Sequence, residues 1–151
     1  MMTTSHTPAE LTQAVVQYFE TLTPQALADL SRHYAAQSRF KDPFNEVQGL
    51  PAIEAIFRHM FHALVNPRFV VTTTVLEGTQ CFLTWDFLFA TRGGHAEFTI
   101  RGATHLAYAQ QDDGAWRIVL HRDYWDAAEE LYEKLPVLGA LMRWLKRRAR
   151  A

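Results

Sequence analysis

Cysteine is almost missing from this chain of 151 residues: Cys81 stands alone, so no internal disulfide forms and a reducing compartment is the natural setting. An excess of charge is missing too. The net charge of −1 gives no electrostatic footprint for a nucleic-acid partner. No apolar run approaches the ~20 residues of a membrane-spanning helix. Met1 to Thr7 lack the basic run and apolar stretch of a signal peptide. The expectation is a soluble, cytoplasmic protein. Seven histidines show neither H-x-x-x-H nor H-E-x-x-H spacing, so no metal site is expected. Gly93-Gly94 separates two strand-like stretches rather than a strand and a helix, which excludes a phosphate-binding loop and gives no sign of a cofactor. Ser5, Ser31 and Ser38 fall in no nucleophile-elbow context.

What is present is a core. The chain is 48% hydrophobic, enough for one globular domain over 1–151, with no linker, repeat or low-complexity stretch to divide it. Charge is unevenly spread: Arg143, Lys146, Arg147, Arg148 and Arg150 crowd the last nine residues, while the other 142 carry 10 basic and 16 acidic side chains.

Thr7-Pro8-Ala9-Glu10 reads as a helix start, with Thr7 capping, Pro8 at the first helical position and Glu10 completing a capping box. Leu11, Ala14, Val15, Tyr18, Phe19 and Leu22 follow at helical spacing, which turns Tyr18 to the core side. Thr23-Pro24 opens a second helix through Leu27 and Leu30 to about Tyr34. Arg39 to Asp42 then reads as a short extended segment. Gly49-Leu50-Pro51 starts a third helix with Ile53, Ile56, Phe57, Met60, Phe61 and Leu64 on one face, ended by Asn66-Pro67. The period then falls to two. Strands are expected over 68–76, 79–92, 95–110 and 115–124, turning at Gly93-Gly94 and Asp112-Asp113-Gly114. From Trp125 the helical period returns, with Asp126 as a cap and Pro136 dividing the terminal region. The order predicts an α+β fold: helices on one face of an antiparallel meander whose long strands must curl and enclose a cavity.

Candidate chemistry gathers at three places. Asp42 sits in the apolar bracket Phe40-Lys41-Asp42-Pro43-Phe44, where desolvation would raise its pKa towards that of a general base. The plainer reading is a turn carboxylate bonded to nearby backbone N–H groups. Tyr18, 24 residues upstream, could donate to an oxyanion, or bond a carbonyl as a core aromatic. His121, Asp123 and Trp125 share one strand face by alternation, so an imidazole and a second carboxylate enter the cavity if that face is concave; the alternative is a structural pair. Trp85, Phe87 and Trp125, with Phe57 and Phe61 of the third helix, are expected to wall the ligand pocket or to be ordinary core.

Helix, helix, F-K-D-P-F, G-x-P-A-I helix and curled meander together resemble the nuclear transport factor 2-like superfamily, and within it the ketosteroid isomerases and SnoaL-like polyketide cyclases, over roughly residues 10–125. Ala14-Val15-Val16-Gln17-Tyr18 is similar to the isomerase helix bearing the oxyanion tyrosine, and Phe40-Lys41-Asp42-Pro43 to the segment bearing the general base. The resemblance implies a cone-shaped sheet packed by N-terminal helices, with no cofactor. It also implies acid–base isomerisation, cyclisation or dehydration of a small hydrophobic molecule, or non-catalytic binding of one. In the isomerases a protonated aspartic acid is the second oxyanion donor. Thr104 takes that place in Gly102-Ala103-Thr104-His105-Leu106, a departure from steroid isomerisation. The His121–Asp123 pair is similar to the proton-shuttling sets of the cyclases and related dehydratases. Related folds bury the convex sheet face in a homodimer, and the same is expected here. The extension 126–150, with Leu135, Leu138, Leu141, Met142 and Leu145 in a stripe, is expected to pack on its own domain or on a dimer mate; an anionic membrane surface is the lesser alternative.

Overall fold

The computed structural model describes residues 4–94, 96–127 and 130. Helix α1 spans Pro8–Glu20. Thr7 caps it by accepting the Glu10 N–H at 3.1 Å. The returning carboxylate bond reaches one residue further out than a standard capping box, to the His6 N–H at 2.7 Å. A 3-10 turn, Gln25–Asp29, leads into the single turn α2, Leu30–His33. The chain then becomes strand β1, Tyr34–Lys41, and the short β2, Glu46–Gln48. Tyr34 therefore opens a strand instead of closing a helix. The helical spacing of Leu27, Leu30 and Tyr34 runs one residue past the helix, which ends at His33.

Helix α3, Leu50–Ala63, buries Ile53 and Phe57. Gly49 precedes it at φ 96°, a conformation a Cβ resists. The remaining strands are β3 Val65–Glu77, β4 Gln80–Ala90, β5 Glu97–Gln110 and β6 Trp116–Tyr124. Asn66-Pro67 does not end the helix. It sits inside β3, where Asn66 takes φ 51° and the register against β4 slips between Val65 and Arg68.

The six strands form one sheet in the order β2-β1-β6-β5-β4-β3. Strands β3 to β6 make the expected antiparallel meander, but β1 lies parallel to β6, pairing Phe40 with His121 and Lys41 with Arg122. The sheet curls without closing. Extra residues interrupt its ladders at Thr72 in β3 and Val119 in β6, where strand bending concentrates. The helices pack on the concave face around Leu11, Val15, Ile53, Leu83, Leu106 and Ile118, each almost wholly buried. The Thr12 and Tyr108 hydroxyls, 2.9 Å apart, tie α1 to β5.

No helix among the described residues is long and apolar enough to cross a membrane. The expected extension 126–150 lies outside the described residues except for Asp126, Ala127 and Glu130, where the Glu130 N–H donates to the Asp126 carbonyl at 2.9 Å.

Candidate functional site

A continuous line of polar side chains crosses the core from β4 to β1. The Trp85 indole Nε1–H donates to Thr104 Oγ1 at 2.8 Å. The Thr104 hydroxyl donates to Asp123 Oδ1 at 2.6 Å. His121 Nε2 lies 2.7 Å from the same oxygen, and the Tyr34 hydroxyl 2.7 Å from His121 Nδ1. The directions follow from valence. A carboxylate only accepts, so Nε2 carries the proton it shares with Asp123, and in the tautomer protonated there alone Nδ1 accepts from the Tyr34 hydroxyl. Burial first, then the charge of Asp123, hold the Tyr34 phenol well above its usual range. Tyr34 therefore stays protonated and serves as a donor.

The fold assembles this line from four strands. Register sets Leu83 against Thr104 and Thr104 against Asp123, and parallel pairing brings β1 alongside His121. The Val119 bulge matters here. It lets Ile118 and His121, of opposite parity, both face the core. Four rings enclose the imidazole: Phe40 at 4.6 Å, Phe19 at 5.7 Å, Tyr34 at 5.9 Å and Phe57 at 6.5 Å between centroids. Exposure peaks in the middle of the line, at 17% for the Asp123 side chain against 5% for His121. Asp123 reaches an open cleft of about 540 Å³, lined also by Lys41, Asp42, Pro43, Arg122, Tyr124, Trp125 and Asp126.

Asp42 and Asp123 thus share a cleft, with Thr104 and His121 directly behind Asp123. Tyr18 is directed elsewhere. Its hydroxyl donates to the Ala26 carbonyl at 2.7 Å and its ring lies against His33, with centroids 4.4 Å apart. Burial, then the charges of Asp29 and Glu54, hold its phenol well above the usual range. No hydrogen bond joins it to Asp42 among the described residues, and Tyr18 is not among the residues lining the cleft that holds Asp42. Asp42 has the partners of a turn carboxylate. Oδ1 accepts the Phe44 N–H at 2.8 Å and the Asn45 N–H at 2.6 Å, and the Asn45 amide lies 3.1 Å from each oxygen. Its flanking Phe44 is 46% exposed, so the apolar bracket is open on one side.

The expected wall residues divide. Trp85 and Phe57 are buried in the core, Phe61 is half-buried beside it, and half-buried Phe87 stacks on Phe69 with centroids 4.6 Å apart. Trp125 alone lines the cleft, edge-on to Phe44. Tyr34 is the member of the line that sequence reading missed. The signal was the inward set Tyr34, Ser38, Phe40, which is strand parity, masked by the helical spacing before it.

Solved structures share this architecture at low identity. A protein with a ketosteroid isomerase-like fold from Catenulispora acidiphila DSM 44928, in complex with trimethylamine, is 20% identical, with a TM-score of 0.66 over 83% of this chain and 92% of that one. An LEH-like epoxide hydrolase from M. tuberculosis is 18% identical, with a TM-score of 0.66 over 89% and 96%. A candidate SnoaL-like polyketide cyclase from Shewanella denitrificans OS-217 is 15% identical, with a TM-score of 0.62 over 84% and 98%. No curated protein matches the sequence. At such identities the likeness fixes the fold and leaves the chemistry to the site. The sequence itself carries the family: residues 15–121 match the model of the SnoaL-like domain, and the chain belongs to that family.

Proposed function

We propose that this protein is an acid–base enzyme that moves a proton on a small, largely hydrophobic molecule, by isomerisation, cyclisation or dehydration. The observation that carries this reading is Asp123, set at the wall of a cleft with one oxygen bonded by both Thr104 and His121. A carboxylate held this way is oriented before substrate arrives, which is what general-base catalysis needs. His121 and Tyr34 continue the line inward, so charge changes at Asp123 are met by oriented dipoles in a site shielded by aromatic rings. Asp123 is the base in this reading. Asp42, already bonded by its own turn, is a second carboxylate on the wall, and Tyr18 anchors α1 to the 25–29 turn.

The second reading is a non-catalytic binder of a small molecule, favoured by the trimethylamine held by the Catenulispora neighbour. We propose in addition that the chain works as a homodimer through the outer face of its sheet.

The test is a panel of small cyclic ketones and enones in D₂O, followed for solvent deuterium uptake and isomerisation, together with small epoxides followed for opening. Turnover of a panel member is expected, with Asp123→Asn slower by about 10²–10⁴-fold. Binding without turnover, equal in wild type and Asp123→Asn, would establish the binder instead.

A further inference from the structure

Trp85 and Thr104 stand behind the proposed base, and the order of their hydrogen bonds has only one solution. An indole N–H can only donate. It occupies the Thr104 oxygen at 2.8 Å, which leaves the single hydroxyl proton of Thr104 to point at Asp123 Oδ1, 2.6 Å away. His121 donates to the same oxygen at 2.7 Å. Oδ1 thus holds two donors, while Oδ2 makes no hydrogen bond among the described residues.

Trp85 lies directly across the ladder from Gly102, and the outer edge of its indole ring takes the space a side chain there would fill. A Cβ on Gly102 would fall 2.6 Å from the indole Cζ2 and 2.9 Å from Cζ3, closer than side-chain atoms approach one another. The indole has little room to retreat, since Phe69 packs edge-on against it with centroids 5.5 Å apart. Gly102 is needed here for space rather than for an unusual φ.

We propose that Gly102, Trp85 and Thr104 form a positioning device that commits Asp123 to exchange its proton through Oδ2. The proposal rests on the reading of Asp123 as the base. Its test needs no turnover, so the two can fail separately.

The chain has four tryptophans, and Trp85→Phe identifies the Trp85 indole N–H signal by NMR. Protonating Asp123 must reach that signal through Thr104. The expected result is a Trp85 peak that moves with pH in step with the Asp123 carboxyl carbon signal. Lys41, Asp42, Arg122 and Asp126 also line the cleft, and His121 touches Asp123 from behind. Asp42→Asn and Asp126→Asn should therefore leave the movement in place. Thr104→Val should abolish it, Thr104→Ser should restore it, and Gly102→Ala should abolish it with Thr104 intact. A Trp85 peak that stays still while Asp123 titrates, or that moves as in wild type in Thr104→Val, overturns the proposal. The valine and serine pair decides the matter even if Gly102→Ala fails to fold.

Discussion

A buried imidazole with both nitrogens bonded tolerates little loss. In Tyr34→Phe the His121 Nδ1 keeps its place among four rings and loses its donor. An orphaned buried acceptor costs about 1–3 kcal/mol. Urea unfolding of the variant should show a loss in that range, and a variant as stable as wild type would mean that water replaces the hydroxyl. His33 supplies a pH-dependent counterpart. Burial, reinforced by the neighbouring charge of Arg32 and opposed by Asp29, lowers its pKa from 6.5 to about 4. The folded protein thus keeps His33 neutral against Tyr18, while the unfolded chain takes up a proton below pH 6.5. Its contribution to stability is whole above pH 6.5 and is lost as pH falls towards 4. Unfolding midpoints at pH 7 and pH 4.5 should therefore converge in His33→Gln relative to wild type. An equal acid loss in both proteins would assign the effect to other groups.

Among the elements, α1 depends on a cap at its exposed start. Thr7 satisfies the Glu10 N–H, and the helix carries Leu11, Val15, Tyr18 and Phe19 into the core. Thr7→Ala should cost about 0.5–2 kcal/mol in thermal or urea unfolding. Glu10→Ala should cost less, because its carboxylate serves the His6 N–H outside the helix. An unchanged midpoint in Thr7→Ala would show that packing alone holds this end. Such local signals are what made α1, α3 and the hairpins legible from sequence: caps, prolines and a change of period lie within a few residues of one another. The site was legible only in part. His121 and Asp123 share a face by simple alternation because both follow the Val119 bulge. Tyr34 was hidden by a helical spacing that ends in a strand. The parallel pairing of β1 with β6 joins residues about eighty positions apart, and no short window of sequence contains it. Tyr18 and Asp42 had the right residue types, but their hydroxyl and carboxylate are satisfied by neighbours eight and three positions away.

At the scale of the whole molecule, the outer face of the sheet exposes large apolar side chains among the described residues. Phe82 is 50% exposed, Val75 53% and Tyr124 50%. Register aligns Val75, Phe82, His105 and Arg122 in one row across β3 to β6. The Phe82 and His105 rings stack with centroids 4.6 Å apart, and Arg122 lies 4.8 Å over the Tyr124 ring. The row is thus already ordered, and little side-chain freedom would be lost if a second copy covered it. Aromatic groups beside a fixed arginine are also the composition of an interface centre. Sedimentation at micromolar concentration should show a dimer. Phe82→Arg places a second cation in the row with Arg122 and should yield a monomer that keeps its far-UV dichroism. The cleft lies where Tyr124 meets Asp123, so the two roles meet at the end of β6. A monomeric Phe82→Arg that retains wild-type turnover would show that the cleft is complete within one chain. A wild-type protein that stays monomeric throughout would remove the dimer from the proposed function and leave this face for another partner.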